Sequence, residues 1–520
     1  MVAPAKFKHD DSEVVVIIGS GAGGGTLANA LSKQGIDVVC LEAGRRLAMS
    51  DIVNNQAEMF PKFTWLDERI GEGDTPHNFP LWTCKTVGGS TMHWTAATPR
   101  LQEHELKPLT TYGHIQGTSL QDWPLEYTEL QRYYDKAESL MSVSGTGDRP
   151  PVAANNNHLV MQAGAHKLGY KQVDTNRVAI NSTPRDGRSS CLELGFCSSG
   201  CVTQAKWCTL YTEIPRAEQT GHFELRDRCM ATRIVTDKSG RARAVEYRDA
   251  DGKPRTQQAR LVCVAGNTVE TTRLLLNSRN AHFPDGLANS SDQVGRNYMH
   301  HVLASVVAVM PGEVAFYKGA QCAGFLRDET RHDPSRGFSG GFLLHTVSFT
   351  PEDMATVIMP GQWGKDFVAT MNGYHNMAGM LMIGEDLPQA DNRITLHTTR
   401  KDRAGLPVPV VSYRFHPNSV AMRDYAVKVG HDLYSSLGAK KIVHCTSFPA
   451  THNMGVARIG VDPATSVCNP WGQTHDIANL FVSDGSLLPS SGSANPTLTI
   501  VALILRQADY IVGEVRRGAI

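Results

Sequence analysis

The first clear pattern in the chain is a change of hydrophobic period. Residues 13–18 (EVVVII) form a β-branched apolar run that stops at Gly19, after which Thr26, Leu27, Ala30 and Leu31 recur at helical spacing. This predicts a strand, a glycine turn and a helix, and a second apolar run at 37–41 predicts the next strand. The same strand–turn–helix signature returns at 259–278 (ARLVCVAGNTVETTRLLLNS), with Gly266 at the turn. Residues 122–141 (DWPLEYTELQRYYDKAESLM) follow a Pro turn and predict an amphipathic helix whose Tyr127, Leu130, Tyr134 and Ala137 face the core. Alternation from 222 to 247 predicts a β-meander. From about 300 to 445 glycine turns of the first kind give way to strand patterns, among them a hairpin at 392–415 with a charged tip. A further apolar strand, NLFVSDG, precedes Asn495-Pro496-Thr497, which reads as a helix start with Asn as cap and Pro in first position. The apolar helix predicted after it covers 498–505.

These elements predict an α/β fold: a Rossmann-type dinucleotide-binding domain with a sheet-rich substrate (cap) domain. The expected division is 1–120 and 216–300 for two parts of the nucleotide-binding domain, with a helical and cysteine-loop segment at 121–215 between them. The cap then covers 301–445, and 446–520 is the C-terminal nucleotide-binding and catalytic part. A length of 520 residues suits such interleaving, and 41% hydrophobic with 20% charged residues excludes a disordered chain. Lys+Arg and Asp+Glu both total 51, so the basic excess of a nucleic-acid binder is missing. The longest apolar stretch falls short of the roughly 18 residues of a membrane span. Residues 1–11 (MVAPAKFKHDD) have no apolar core of a signal peptide, so a soluble chain without its own export address is expected.

Gly19, Gly21 and Gly24 give the GxGxxG spacing between strand and helix. The first allows the tight turn, the second lets backbone approach a pyrophosphate, and the third packs helix on strand. Unpaired N–H groups at the helix start would face the phosphates, and Glu42, 18 positions after Gly24, is placed to accept a ribose hydroxyl. These residues leave NAD and FAD both open. A single such unit at the start of the chain, with no second one after it, favours FAD held as a prosthetic group. Gly88 and Gly89 in CKTVGGSTMHW permit another close backbone approach, and His93 lies just beyond them. Asp484 and Gly485 end the last apolar strand, where the carboxylate is a candidate for the ribityl or phosphate part of the cofactor. The dipole of the helix starting at Pro496 and Thr497 would favour the negative charge of a reduced flavin. His452 is a candidate general base, with a pKa suited to taking a hydroxyl proton as hydride leaves the same carbon.

Seven of the eleven cysteines are scattered, and several lie in apolar runs that suggest buried, inert thiols. Cys191, Cys197, Cys201 and Cys208 instead crowd together, the first three spaced C-x5-C-x3-C. Three thiolates from one short loop suit an iron–sulfur cluster, with zinc, disulfides or free cysteines as the other readings and Cys208 a weak fourth ligand.

Taken together, GSGAGGG…LEAG, VGGSTMHW, ANSSDQVGRNYMHH (288–301) and THNMG…SDGSLLPSSGSANPTLT resemble the glucose–methanol–choline (GMC) oxidoreductases over nearly the whole chain. The resemblance implies that His452 and Asn495 form a catalytic pair beside the flavin. It is nearest to iron–sulfur-containing bacterial FAD sugar dehydrogenases acting on glucose, fructose, gluconate and glucosides. It therefore implies a 3Fe-4S cluster on Cys191, Cys197 and Cys201, and a small signal-bearing partner subunit with a cytochrome or quinone acceptor. A periplasmic location reached with that partner is implied over a cytoplasmic one. VGGSTMHWTAATPR is also similar to pyranose oxidases, which makes His93 a candidate for covalent attachment of FAD. The implied activity is oxidation of a CH–OH group of a sugar or glycoside by hydride transfer to flavin N5, with electrons leaving through the cluster. An oxygen-dependent pyranose-type oxidase without a cluster and a non-catalytic flavin-binding subunit are the alternatives. Two positions depart from the pattern: His300-His301-Val302 stands where Asp-His-Pro is common, and Val202 replaces the Pro after the last cysteine of the loop.

Overall fold

Five short strands from distant parts of the chain build one parallel sheet, in the order Leu480–Val482, Leu261–Val264, Val15–Ile18, Val38–Leu41, Phe223–Arg226. In this computed structural model, residues 5–76, 79–175 and 177–520 are described, and the first four positions of the stretch read for a leader lie outside them. The central strands VVII, VVCL and LVCV are buried at every position. Such continuous apolar runs suit a parallel sheet covered on both faces. Helix Ala22–Ser32, buried along most of its length, packs between this sheet and the C-terminal helix Thr497–Arg516.

The meander differs from expectation at its start. Phe223–Arg226 pairs in parallel with Val38–Leu41 and closes the edge of the nucleotide-binding sheet; the meander itself is Met230–Thr236, Ala242–Arg248 and Pro254–Gln258. Alternation alone cannot say which neighbour a strand takes.

The cap is a six-stranded antiparallel sheet in the order Lys441–Cys445, Val302–Val309, Met377–Gly384, Phe342–Thr346, Gly324–Leu326, Val173–Thr175. Its last strand comes from the segment read as helical. Both faces are apolar, and period 2 sorts them. Leu303, Leu343 and Ile383 join the core of the nucleotide-binding sheet, whereas Val302, Ala304, Phe342, Leu344 and Met382 face helices Asn156–Lys167 and Pro417–Ser436. The hairpin Arg393–Lys401 with Pro407–Tyr413 stands apart from this sheet and pairs with Ile70–Gly73.

The C-terminal helix is longer than the apolar run that announced it. Arg506 and Gln507 interrupt the pattern in sequence, yet both are buried and bonded: Arg506 Nε donates to Glu129 at 2.7 Å, and Gln507 Nε2 donates to the Val482 carbonyl at 2.8 Å. Pro496 rather than Asn495 occupies the cap position, and no side chain caps the helix. No helix among the described residues is long and apolar enough to cross a membrane.

The seam between sheet and helix has no slack. A Cβ on Gly24 would lie 1.9 Å from the Gly19 carbonyl oxygen and 3.1 Å from Ala265 Cβ. Gly24→Ala should therefore cost about 1–3 kcal/mol through overpacking, read as a lowered denaturant midpoint of the purified chain.

Candidate active site

A cavity of about 730 Å³ runs from the glycine turn at 18–23 to the inner face of the cap sheet. Its nucleotide end is built by close backbone approach. Gly19 has φ 101°, and a Cβ on Gly89 would come within 2.8 Å of Gly21 Cα, so the 88–89 turn lies directly on the first glycine turn. Helix Ala22–Ser32 has no side-chain cap and no acid in its first turn, which leaves its leading N–H groups facing the cavity without a side-chain acceptor. Glu42 is buried and held in place: Ser20 N and Oγ donate to Oε2 at 3.0 and 2.7 Å, and Gly44 N donates to Oε1 at 2.8 Å. Burial pushes its carboxyl up, and these bonds oppose the shift. Ser20 Oγ also accepts from Gly88 N at 3.1 Å, so one hydroxyl ties both turns to Glu42. Asp484, beside Gly485 on the cavity wall, accepts from Ser486 N at 2.8 Å and from Thr271 Oγ1 at 2.6 Å.

At the other end His452, Asn495, Pro496 and Thr497 line the cavity together. His452 lies at φ 56°, a region side chains seldom adopt, in a stretch paired with 297–301 through Met299 N to the Met454 carbonyl at 3.0 Å and the reverse bond at 2.8 Å. Asn495 Nδ2 lies 3.5 Å from His452 Nε2, while Asn495 Oδ1 is buried with no partner. The behaviour expected of a cap is absent, and the amide is aimed at the cavity instead. Burial is the main influence lowering the His452 pKa well below 6.5, helped by His301, His345, His93 and His300. His93 packs against the Trp82 ring at 4.4 Å and is pushed down to about 3, first by burial and then by Lys206. Trp82, Phe60, Phe79, Phe448, Leu381 and Ile383 make much of the remaining wall apolar.

Sequence comparison matches residues 71–303 and 388–503 to GMC oxidoreductase profiles, and 17–61 to an NAD(P)-binding Rossmann-like domain. The chain is 34% identical to a 2-methyl-1,2-propanediol dehydrogenase of Mycolicibacterium austroafricanum, over 96% of this chain and 95% of that one. The chain belongs to the GMC oxidoreductase family. It is also similar to the fructose dehydrogenase large subunit of Gluconobacter japonicus, with 29% identity over 97% and 98% of the two chains. In fold it matches a pyridoxine 4-oxidase from Mesorbium loti, with TM-score 0.68 at 14% identity over 96% and 98% of the two chains. As a GMC oxidoreductase it is an FAD-binding enzyme that acts on CH–OH donors.

The cavity fits that cofactor. The glycine cradle and uncapped helix start suit a pyrophosphate, and the orphan Asn495 Oδ1 marks a polar partner that the protein does not itself supply. The cysteine loop does not fit a cluster in the same way. Among the described residues no group of three or more His, Cys, Asp or Glu is arranged to hold a metal ion. Cys191 Sγ accepts from Glu193 N at 3.4 Å, and Cys201 Sγ accepts from Lys206 N at 3.5 Å. The ligand set expected from C-x5-C-x3-C is therefore not supported among the described residues. Cys208 is buried away beneath Thr91, whose Oγ1 lies 3.1 Å from its sulfur. Lys206 is buried under the loop, with Nζ donating to the carbonyls of Met92, Trp94 and Cys197 at 2.8, 2.9 and 2.7 Å.

Sequence reading missed His345 and the role of the 298–302 stretch. His345 follows an ordinary strand pattern, FLLHT, and only the register Leu381–His345 turns it to the cavity. A base held this far below its ordinary value stays neutral at pH 7 and loses the bare nitrogen only as pH falls through the lowered pKa. The acid limb of kcat/KM for the donor should therefore lie below 6.5; a limb at or above that value would contradict the burial argument.

Proposed function

We propose that this GMC oxidoreductase is a dehydrogenase for a CH–OH group of a sugar, glycoside or similar small polyol, with an external redox partner as final acceptor. The observation that carries the reading is the His452–Asn495 pair, buried against an apolar wall at the end of a cavity that begins at the glycine turn. When bound, FAD supplies the hydride acceptor. His452 Nε2 takes the hydroxyl proton while the C–H bond breaks with its electron pair, which leaves a carbonyl. Asn495 Nδ2 donates to the substrate oxygen, and its unpartnered Oδ1 accepts from a neighbouring hydroxyl. Trp82, Phe60 and Phe448 exclude water from the reacting carbon and offer flat apolar surface to the C–H face of a sugar ring. The polyol and sugar donors named for the two dehydrogenase relatives support this substrate class.

The relative described as a large subunit supports a partner subunit here as well. A signal-bearing partner, a cytochrome or quinone acceptor and a periplasmic location complete the proposal. His93, beside Trp82 on the wall, remains the candidate point of covalent attachment for FAD. The cluster that the resemblance implies on Cys191, Cys197 and Cys201 is not supported by the side-chain arrangement, and no electron-transfer step is assigned to it. Electrons pass directly from the cavity to the partner in this reading.

An anaerobic absorbance spectrum with a panel of sugars, glycosides and diols tests the reading: bleaching of the flavin by at least one of them is expected. No bleaching by any would favour a non-catalytic flavin protein, and stoichiometric hydrogen peroxide in air would make it an oxidase. His452→Ala should lower turnover by about 10²–10⁴-fold with FAD retained. Iron analysis of the purified chain should find none, and Cys197→Ser should then leave flavin reduction and reoxidation unchanged. Bound iron together with slowed reoxidation in that variant would restore the cluster.

A further inference from the structure

His301 is fully buried and contacts His452 through one ring nitrogen and a backbone carbonyl through the other. Its Nε2 lies 3.0 Å from the Gly492 carbonyl oxygen, which can only accept, so Nε2 carries the proton. In a neutral ring the other nitrogen, Nδ1, then has a lone pair, and it lies 3.0 Å from His452 Nδ1. The contact is a hydrogen bond only if His452 Nδ1 is the donor. The two rings cross at 89°, with centroids 5.0 Å apart. His452 Nε2 is thereby left without a proton, in agreement with Asn495 Nδ2 approaching it at 3.5 Å as a donor.

We propose that His301 is a positioning residue for proton removal: by accepting the Nδ1–H of His452 it fixes the tautomer in which Nε2 faces Asn495 and the cavity as a bare nitrogen. This rests on the reading of His452 as the base. The titratable groups that act most on His452 are imidazoles: His93 from the 88–94 turn, His345 from the cap sheet, and His300 and His301 from the paired stretch. His300 Nδ1 is within 2.9 Å of the His301 carbonyl and His345 Nδ1 within 2.8 Å of the Thr346 carbonyl, so each donates to backbone and points no proton at His452 from that nitrogen. Burial drives His301 down to about 3, which keeps it neutral and its Nδ1 an acceptor at neutral pH. A carboxylate in this place would fix the same tautomer but also raise the basicity of His452. The imidazole does the first without the second.

The test uses FAD-loaded enzyme and a donor identified from the panel, with anaerobic flavin reduction, its pH profile, and ¹⁵N spectra of histidine-labelled protein as readouts. In the parent, the neutral His452 signal, assigned by its loss in His452→Ala, should be of the Nδ1–H type. His301→Ala should slow flavin reduction by about 10–100-fold with FAD retained. His301→Asn, whose Oδ1 can accept the same proton, should recover most of that loss. His301→Asp should move the acid limb up in pH. A parent signal of the Nε2–H type overturns the proposal, as does a His301→Ala enzyme with the parent rate and pH profile. Should His301→Ala lose FAD, the parent spectrum and the Asn and Asp variants decide. If His452→Ala also reduces flavin at the parent rate, the base assignment fails; a slow His452→Ala beside a parent-like His301→Ala removes the positioning role alone.

Discussion

A single antiparallel bridge between Met299 and Met454 fixes the geometry on which the rest of the site depends. It joins stretches about 150 positions apart and sets the imidazoles of His301 and His452 against one another. The approach is so close that a Cβ on Gly455 would stand 2.1 Å from the Asn297 carbonyl oxygen. Glycine at a positive φ of 76° is the residue that permits both the turn and the contact. The left-handed backbone of His452 is the local cost, and the surrounding bonds hold it there.

The partner side of the site is held by buried polar groups of a different kind. The serine-rich run ahead of Asn495 has little apolar surface with which to pack. Glu105, almost fully buried, accepts from both the backbone and hydroxyl of Ser493 at 2.6 Å. Ser490 Oγ accepts from Trp123 Nε1 at 2.7 Å, and Ser491 Oγ exchanges bonds with the backbone of Asp386 at 2.8 and 3.0 Å. A satisfied polar network of this kind defines one backbone path where apolar packing would allow several. The Gly492 carbonyl and the Asn495 amide inherit their positions from it.

The sequence was informative where function rests on local backbone chemistry. GSGAGG needs glycine for reasons of turn and contact that hold within a few residues, and the apolar runs around 15–18, 38–41 and 261–264 could only be interior strands. The His452–Asn495 pair was reachable through the resemblance of the C-terminal motifs. What stayed hidden was set by register between distant segments. Phe223–Arg226 reads as a meander strand until its parallel partner is known. His345 looks like any strand residue, and the His-His pair at 300–301 stood out only as a departure. The cysteine spacing carried least, since three thiols in one loop say nothing of where each sulfur points.

Lys206 gives that loop a second meaning. Its ammonium sits in the interior with three carbonyls and no hydrogen-bonded carboxylate, one carbonyl from Cys197 and two from the turn that carries His93. Losing any one of these acceptors would leave a buried cation poorly solvated, an expensive state that neither loop can enter alone. The cysteine loop and the cavity wall are therefore mechanically one piece. Chemistry at the protein surface around Cys197, whether alkylation, oxidation or the docking of another molecule, has a rigid lever to the His93 side of the cavity wall.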